Sequence, residues 1–458
     1  MDMNETPNEA SVVAKLNPNH DTNSGLKPSI AKSPFDNEDG DADLILRTSD
    51  KVEFYVHKLF LRKASPIFAD MFTVARSELS IHVDGPSQTP YLPIVEVEEP
   101  SFIIDSLLRI YYPVEEVGQT SLNRVVDVFQ AALKYEMHKA ATRMRKEFAT
   151  YARTDALSVY AYACTLNLEN EAKLGAEEWR KQCEPRFFFF SSSKFADCIA
   201  GKTYRHEMQD NTAGHLYRLI RFVKSGVYTP FCSPPPPLQE SSTGCEASNI
   251  EDQSNIYPFT RFPNPDIIIR SIDNIDFPAH TSILTYASNS TSKILHLPKD
   301  QNPDGLQSVI CVTEDSKTIA TVLQLCYPFA QYEVSEDTCT VSHIAGVRKT
   351  AEKYGIVNAA RLACDVMEDL IEKHAIQVYF AARRYGWERE AKLAEAQCWT
   401  LSDIEGPGAY VAEMEFVSAD VYHHLLERWY EAKSLISTPS LSLSSSGAMK
   451  PRQKRRRR

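Results

Sequence analysis

The chain has 458 residues, a formal charge of −11 and ten cysteines. That length exceeds what one hydrophobic core normally serves, so two or three domains are expected. The negative charge argues against nonspecific nucleic-acid binding as the main activity, because phosphate contacts need clustered Lys and Arg, and only the C-terminus offers such a cluster.

Residues 1–40 are rich in Asn, Pro, Ser, Asp and Glu and show little periodicity. Too little apolar surface is present to offset ordering entropy, which predicts a disordered arm whose one short apolar stretch is 9–16. The start lacks a basic segment followed by an apolar one, and no run of about 18 apolar residues is long enough to span a bilayer. A cytoplasmic and/or nuclear location is expected, with no membrane partner. Cysteines 164, 183, 198, 232, 245, 311, 326, 339, 364 and 398 include no C-x-x-C pair. Free thiols are therefore predicted in place of a zinc ribbon or a disulfide framework.

Asp43 opens the apolar run Leu44-Ile45-Leu46, a polar turn follows at Ser49-Asp50, and Val52, Phe54 and Val56 alternate up to His57. This pattern predicts a two-stranded hairpin with Val52, Phe54 and Val56 on one face. Past Leu61, Ser65-Pro66 supplies a hydroxyl cap and a first-turn proline, which predicts a helix presenting Phe68, Met71 and Phe72 to a core. A polar stretch over 73–90 leads to a third strand over 92–97. In the helix that comes next, Phe102, Ile103, Leu107, Ile110 and Tyr111 share one face, and Tyr112-Pro113 stops it. Further helices, with small or apolar residues every three or four positions, reach residue 231. The run Phe187 to Phe190 is expected to anchor them in a core. Residues 232–258 hold four consecutive prolines and a Ser/Thr/Gly stretch, read as a stiff linker, with an SH3 or WW ligand as the alternative.

The pattern then returns. Asp43, Arg47, Asp50, Phe54, His57, Leu61, Ala64 and Ser65 align without a gap onto Asp266, Arg270, Asp273, Phe277, His280, Leu284, Ala287 and Ser288. Tyr112-Pro113 recurs as Tyr327-Pro328. Lys134-Tyr135 recurs as Lys353-Tyr354, and Glu171-Ala172-Lys173 as Glu390-Ala391-Lys392. A Ser-rich tail from 434 ends in Lys454, Arg455, Arg456, Arg457 and Arg458, a nuclear-import cluster or else a solvated end.

The first set, Asp43, Phe54, His57, Leu61, Ser65, Phe68, Tyr112 and Pro113, resembles the BTB/POZ domain, and the chain is similar to BTB proteins of fungi. The second set, Asp266, Phe277, His280, Leu284, Tyr327 and Pro328, resembles a diverged copy. The architecture so implied is α+β: two BTB/POZ-like units, each a short hairpin and a third strand packed with a helical cluster, each followed by a helical extension. The expected spans are 41–115 and 116–231 for the first unit and its extension, 232–258 for the linker, 259–330 and 331–433 for the second, and 434–458 for the tail.

The resemblance implies a non-enzymatic interaction protein that binds itself or other BTB domains as a scaffold. An adaptor of a cullin-based ubiquitin ligase and a nuclear transcription co-regulator are the alternatives. Family adaptors often carry a hydrophobic-x-Glu motif before the third strand, where this chain has only Arg76-Ser77-Glu78, and no DNA-binding module is visible. Many BTB dimers exchange an N-terminal helix and strand, and no amphipathic helix precedes Asp43, so the two copies are expected to pair within one chain.

No catalytic, metal or cofactor residues are assigned. The sequence has no glycine-rich phosphate loop, G-x-S-x-G or H-E-x-x-H. His57 and Asp43 are read as buried, hydrogen-bonded structural groups, His280 as a hydrogen-bonded core group and Asp266 as a carboxylate that accepts backbone or side-chain hydrogen bonds. No small-molecule substrate follows from this pattern, and nucleic acid is not an expected partner.

Overall fold

The structure, a computed structural model, describes residues 28–79, 92–115, 118–119, 121–187, 204–234, 264–288, 293–301, 308–327 and 340–437. Two compact units divide the chain, 1–181 and 182–458.

The first unit is built on strands β2 (Leu44–Arg47) and β3 (Val52–Val56), antiparallel with Leu46 opposite Phe54. The Thr48 hydroxyl accepts the Val52 amide at 3.1 Å, and Lys51 takes a left-handed φ of 61° to close the turn. Leu44, Ile45 and Leu46 are all buried, so this strand is covered on both faces, whereas β3 keeps Phe54 and Val56 inside and Tyr55 half out. Strand β4 (Ile94–Glu96) joins β2 in parallel.

Helix α1 (Lys58–Ala64) follows β3, and α2 (Pro66–Leu79) starts where the proline and the Ser65 cap predict. Ser65 Oγ accepts the Phe68 amide at 3.1 Å and donates to the Tyr135 carbonyl at 2.5 Å. Helix α2 runs on through Thr73 to Leu79, seven residues into the stretch expected to be a polar loop. Helix α3 (Ser101–Tyr111) ends ahead of Tyr112-Pro113. Helices α4 (Leu122–Lys134), α5 (His138–Thr150), α6 (Ala156–Thr165) and α7 (Glu169–Phe187) complete the series. A Cβ on Gly175 would meet the Ala156 carbonyl and the Tyr160 amide at 2.9 Å, so this glycine lets α7 press against α6.

The expectation of disorder to residue 40 does not hold for residues 28–40. Strand β1 (Ser29–Ile30) pairs in parallel with β3, giving the sheet order β1-β3-β2-β4. Phe35 is fully buried, its ring 5.9 Å from Phe54 and 5.2 Å from Tyr112. One aromatic anchor and two strand residues tie the segment down where its composition suggested none. Residues 1–27 lie outside the described residues.

In the second unit, β5 (Ile267–Arg270) and β6 (Asp276–Ala279) are antiparallel, β8 (Ser308–Cys311) joins β5 in parallel, and β7 (Asp300–Gln301) joins β8. The order is β6-β5-β8-β7. Helix α9 (Thr281–Ala287) follows β6, and Ser288 turns its hydroxyl back onto the Leu284 carbonyl at 2.7 Å. Helices α10 (Ser316–Cys326), α11 (Val341–Tyr354), α12 (Val357–Asp369), α13 (Ile371–Tyr385) and α14 (Glu388–Cys398) come next.

The same unit contains α8 (Ala213–Ser225) and α15 (Ala419–Ser437), each entered through a short 3-10 helix, His206–Asp210 and Ala412–Phe416. Residues 206–231, expected to belong with the first helical extension, thus pack on 401–430.

Pro328, Phe188 to Phe190, residues 235–258 and the basic cluster Lys454 to Arg458 lie outside the described residues. The seven described cysteines are free thiols. No described helix is long and apolar enough to cross a membrane.

Candidate interaction surface

The residues singled out in the sequence gather where β3 runs into α1. Tyr112 Oη accepts the His57 amide at 2.8 Å and lies 3.2 Å from His57 Nδ1. On the other side of the ring, His57 Nε2 lies 3.2 Å from Asp41 Oδ2. Burial, together with the Asp43 and Asp41 charges, pushes the Tyr112 hydroxyl up to about 12 against the His57 amide bond, which works downward, so it remains a donor at neutral pH. Tyr112 therefore does more than end a helix: it locks the end of the sheet to the end of α3.

Two expectations need correcting. Asp43 is exposed, not buried, and its Oδ1 accepts the Lys58 amide at 2.6 Å, so it caps α1. His57 is half-buried, with 31% of its side chain exposed. The sequence placed both at a strand end but could not show that α1 begins there and presents an orphan amide to Asp43. Phe54, Leu61, Ser65 and Phe68 are buried, while Pro113 stands exposed at the end of α3.

The matching residues of the second unit make the same bonds. Asp266 Oδ1 accepts the Thr281 amide at 2.8 Å, and His280 Nδ1 lies 2.9 Å from Tyr327 Oη. Phe277 and Leu284 are buried.

Polar groups that the sequence left without a role do similar work. Asp50 accepts the Ser101 amide at 2.9 Å, and Asp273 accepts the Ser316 amide at 2.9 Å, each capping the helix after the parallel strand. Glu99 accepts from Lys134 Nζ at 2.8 Å and from the Tyr135 hydroxyl, and Glu314 accepts from Lys353 Nζ and Tyr354 Oη, both at 2.6 Å. The repeated Lys-Tyr pair is thus the partner of a buried or half-buried carboxylate; the glutamate itself had no sequence signal beyond following a strand.

Two apolar side chains stand exposed beside this frame. On α1, Leu59 is 65% exposed and Phe60 37%, the latter lying over the Tyr112 ring at 4.5 Å between centroids. The groups beneath them are committed to structural bonds.

Among the described residues, one cluster could bring metal-ligand atoms together: Cys364, Glu368 and Glu390, within 4.8 Å of one another. Burial and a bond to Glu390 push the Cys364 thiol up to about 11, and Sγ donates to Glu390 at 2.9 Å. Arg348 and Arg389 already pair with Glu390 and Glu368, at 2.9 and 3.0 Å. A protonated thiol and two neutralised carboxylates do not suit a divalent cation.

None of the curated proteins matches the chain. Residues 33–151, the span that holds β2, β3, β4, the His57–Tyr112 lock and helices α1 to α5, match the family model of the BTB/POZ domain, and this stretch of the chain is a BTB/POZ domain.

Proposed function

We propose that the chain is a non-enzymatic scaffold that binds other proteins through BTB/POZ modules, with a second, diverged BTB-like copy in 259–330 and its helical extension in 331–433. The observation that carries the interaction role is the BTB/POZ domain at 33–151, since this domain is a protein–protein interaction module. Its exposed Leu59 and Phe60, seated on a rigid aromatic base, give a partner an apolar anchor. The two-copy reading is supported by the bonds at matching positions: Asp43 and Asp266, His57–Tyr112 and His280–Tyr327, Asp50 and Asp273, Glu99–Tyr135 and Glu314–Tyr354.

The copies pair within one chain in this reading. Residues 232–258 span at most roughly 90 Å when extended, and a tether of that length gives an effective concentration on the order of millimolar. A weak contact is then mostly closed in cis.

Quantitative affinity purification of the full chain against its Leu59→Glu variant tests the interaction role. Surface substitution at a 65% exposed site leaves melting temperature within a few degrees, while proteins enriched with the wild type fall about tenfold. Unchanged enrichment with Leu59→Glu and also with Tyr286→Glu, the most exposed aromatic of α9, contradicts it.

A further inference from the structure

The contact between 204–225 and 410–430 has a local pseudo-two-fold form. Ala213 N–H donates to the Val417 carbonyl at 2.8 Å, and Ala419 N–H donates to the Asn211 carbonyl at 2.8 Å, around the antiparallel bridge of Thr212 with Ser418. These residues correspond at a constant offset of 206. The ring contacts obey the same offset: Tyr410 lies 5.6 Å from Tyr217, and Tyr204 lies 4.7 Å from His423. Each end of the chain's repeated helical region therefore grips the other as two subunits of a symmetric dimer grip each other.

Arg218, Glu415 and Gly214 break the symmetry, and each favours unlike halves. Arg218, 2% exposed, pairs with Glu415, which also accepts from Tyr410 Oη at 3.0 Å and Thr212 Oγ1 at 3.1 Å. The counterpart of Arg218 is His424, which is 65% exposed and pairs with Glu427 on its own helix; the counterpart of Glu415 is Gln209. A Cβ on Gly214 would run into the Glu415 carboxylate and displace it, and the counterpart of Gly214 is Asp420.

We infer that this surface is a heterotypic docking face, coded so that the 206–225 segment accepts the 405–430 segment of the same chain and neither segment accepts itself. Two first segments would set buried Arg218 against Gln209, leaving a buried charge uncompensated. Two second segments would bring Glu415 against Asp420, carboxylate against carboxylate. Lys224, which pairs with Glu405 across the same contact, has Tyr430 as its counterpart and adds to the bias. Discrimination thus comes from penalties built against the wrong pair as well as from the right one. The inference rests on the repeat of the helical ends and not on which partner the BTB surface takes.

The test uses the full chain with a site-specific protease sequence replacing 241–244, nicked after purification. Nicked wild type is expected to elute as one 1:1 complex of both fragments. Arg218→Glu and, separately, Gly214→Asp are expected to weaken fragment retention at least tenfold, and Arg218→Glu with Glu415→Arg is expected to restore it. Separation of the wild-type fragments on nicking, or a double variant no better retained than Arg218→Glu alone, overturns the inference. Leu59→Glu is expected to leave retention unchanged, so that loss of partner capture and loss of pairing are read apart.

Discussion

The Tyr112 hydroxyl bonds both the amide and the ring of His57, 55 residues earlier in the chain, and Tyr327 reaches the ring of His280 in the same manner 47 residues apart. Removing that oxygen leaves the His57 amide and Nδ1 without their partner. Tyr112→Phe is expected to cost about 1–3 kcal/mol in denaturant unfolding of the first unit, the usual price of a half-buried polar group left unsatisfied. A loss below a few tenths of a kcal/mol contradicts the lock.

Asp43 and Asp266 are helix caps on the surface, so their removal costs less than a buried hydrogen-bond partner would. Asp43→Ala is expected to destabilise by about 1 kcal/mol, and Asp43→Asn or Asp43→Ser to recover most of it. If neither conservative replacement rescues Asp43→Ala, the aspartate has a role other than capping.

Burial raises the Asp266 carboxyl, but the side-chain and amide bonds from Thr281 outweigh it and hold the group below its ordinary range. A depressed folded value means that the carboxylate stabilises the fold at neutral pH. This contribution is lost as pH falls through the folded value, below about 4. Hydrogen exchange of α9 amides is expected to speed up over that acid range in the wild type and to show a flatter response in Asp266→Asn. Identical acid profiles would count against the cap.

The proposed second copy is expected to be the weaker one. Phe68 is 2% exposed and stacks on Tyr135 at 4.8 Å, whereas the aligned position of the second copy is Thr291. Phe68→Ala is expected to cost about 3–5 kcal/mol. In the wild-type chain, amides of β5 and β8 are expected to exchange faster than those of β2 and β4, and the opposite order contradicts the ranking.

Much of the first unit was legible because local rules agree there. The alternation at Val52, Phe54 and Val56, the cap at Ser65 and the Tyr112-Pro113 stop each specify an element without help from the rest of the fold. The N-terminal strand was not legible, since two residues carry no periodicity and Phe35 sits in a polar context. Asp43 was misjudged because its partner is a backbone amide, which no side-chain pattern marks. The pairing of 211–225 with 417–430 was hidden for another reason. The repeat runs at an offset of 219 from Lys134 and Lys353 to Lys173 and Lys392 but at 206 beyond them, so an alignment extended without a gap loses the match between Ala213 and Ala419.

The proposal that two copies pair inside one chain is tested most directly by light scattering of the full-length protein across a dilution series. A concentration-independent mass near 51.7 kDa is the predicted result. A stable dimer or larger assembly at low micromolar protein contradicts it.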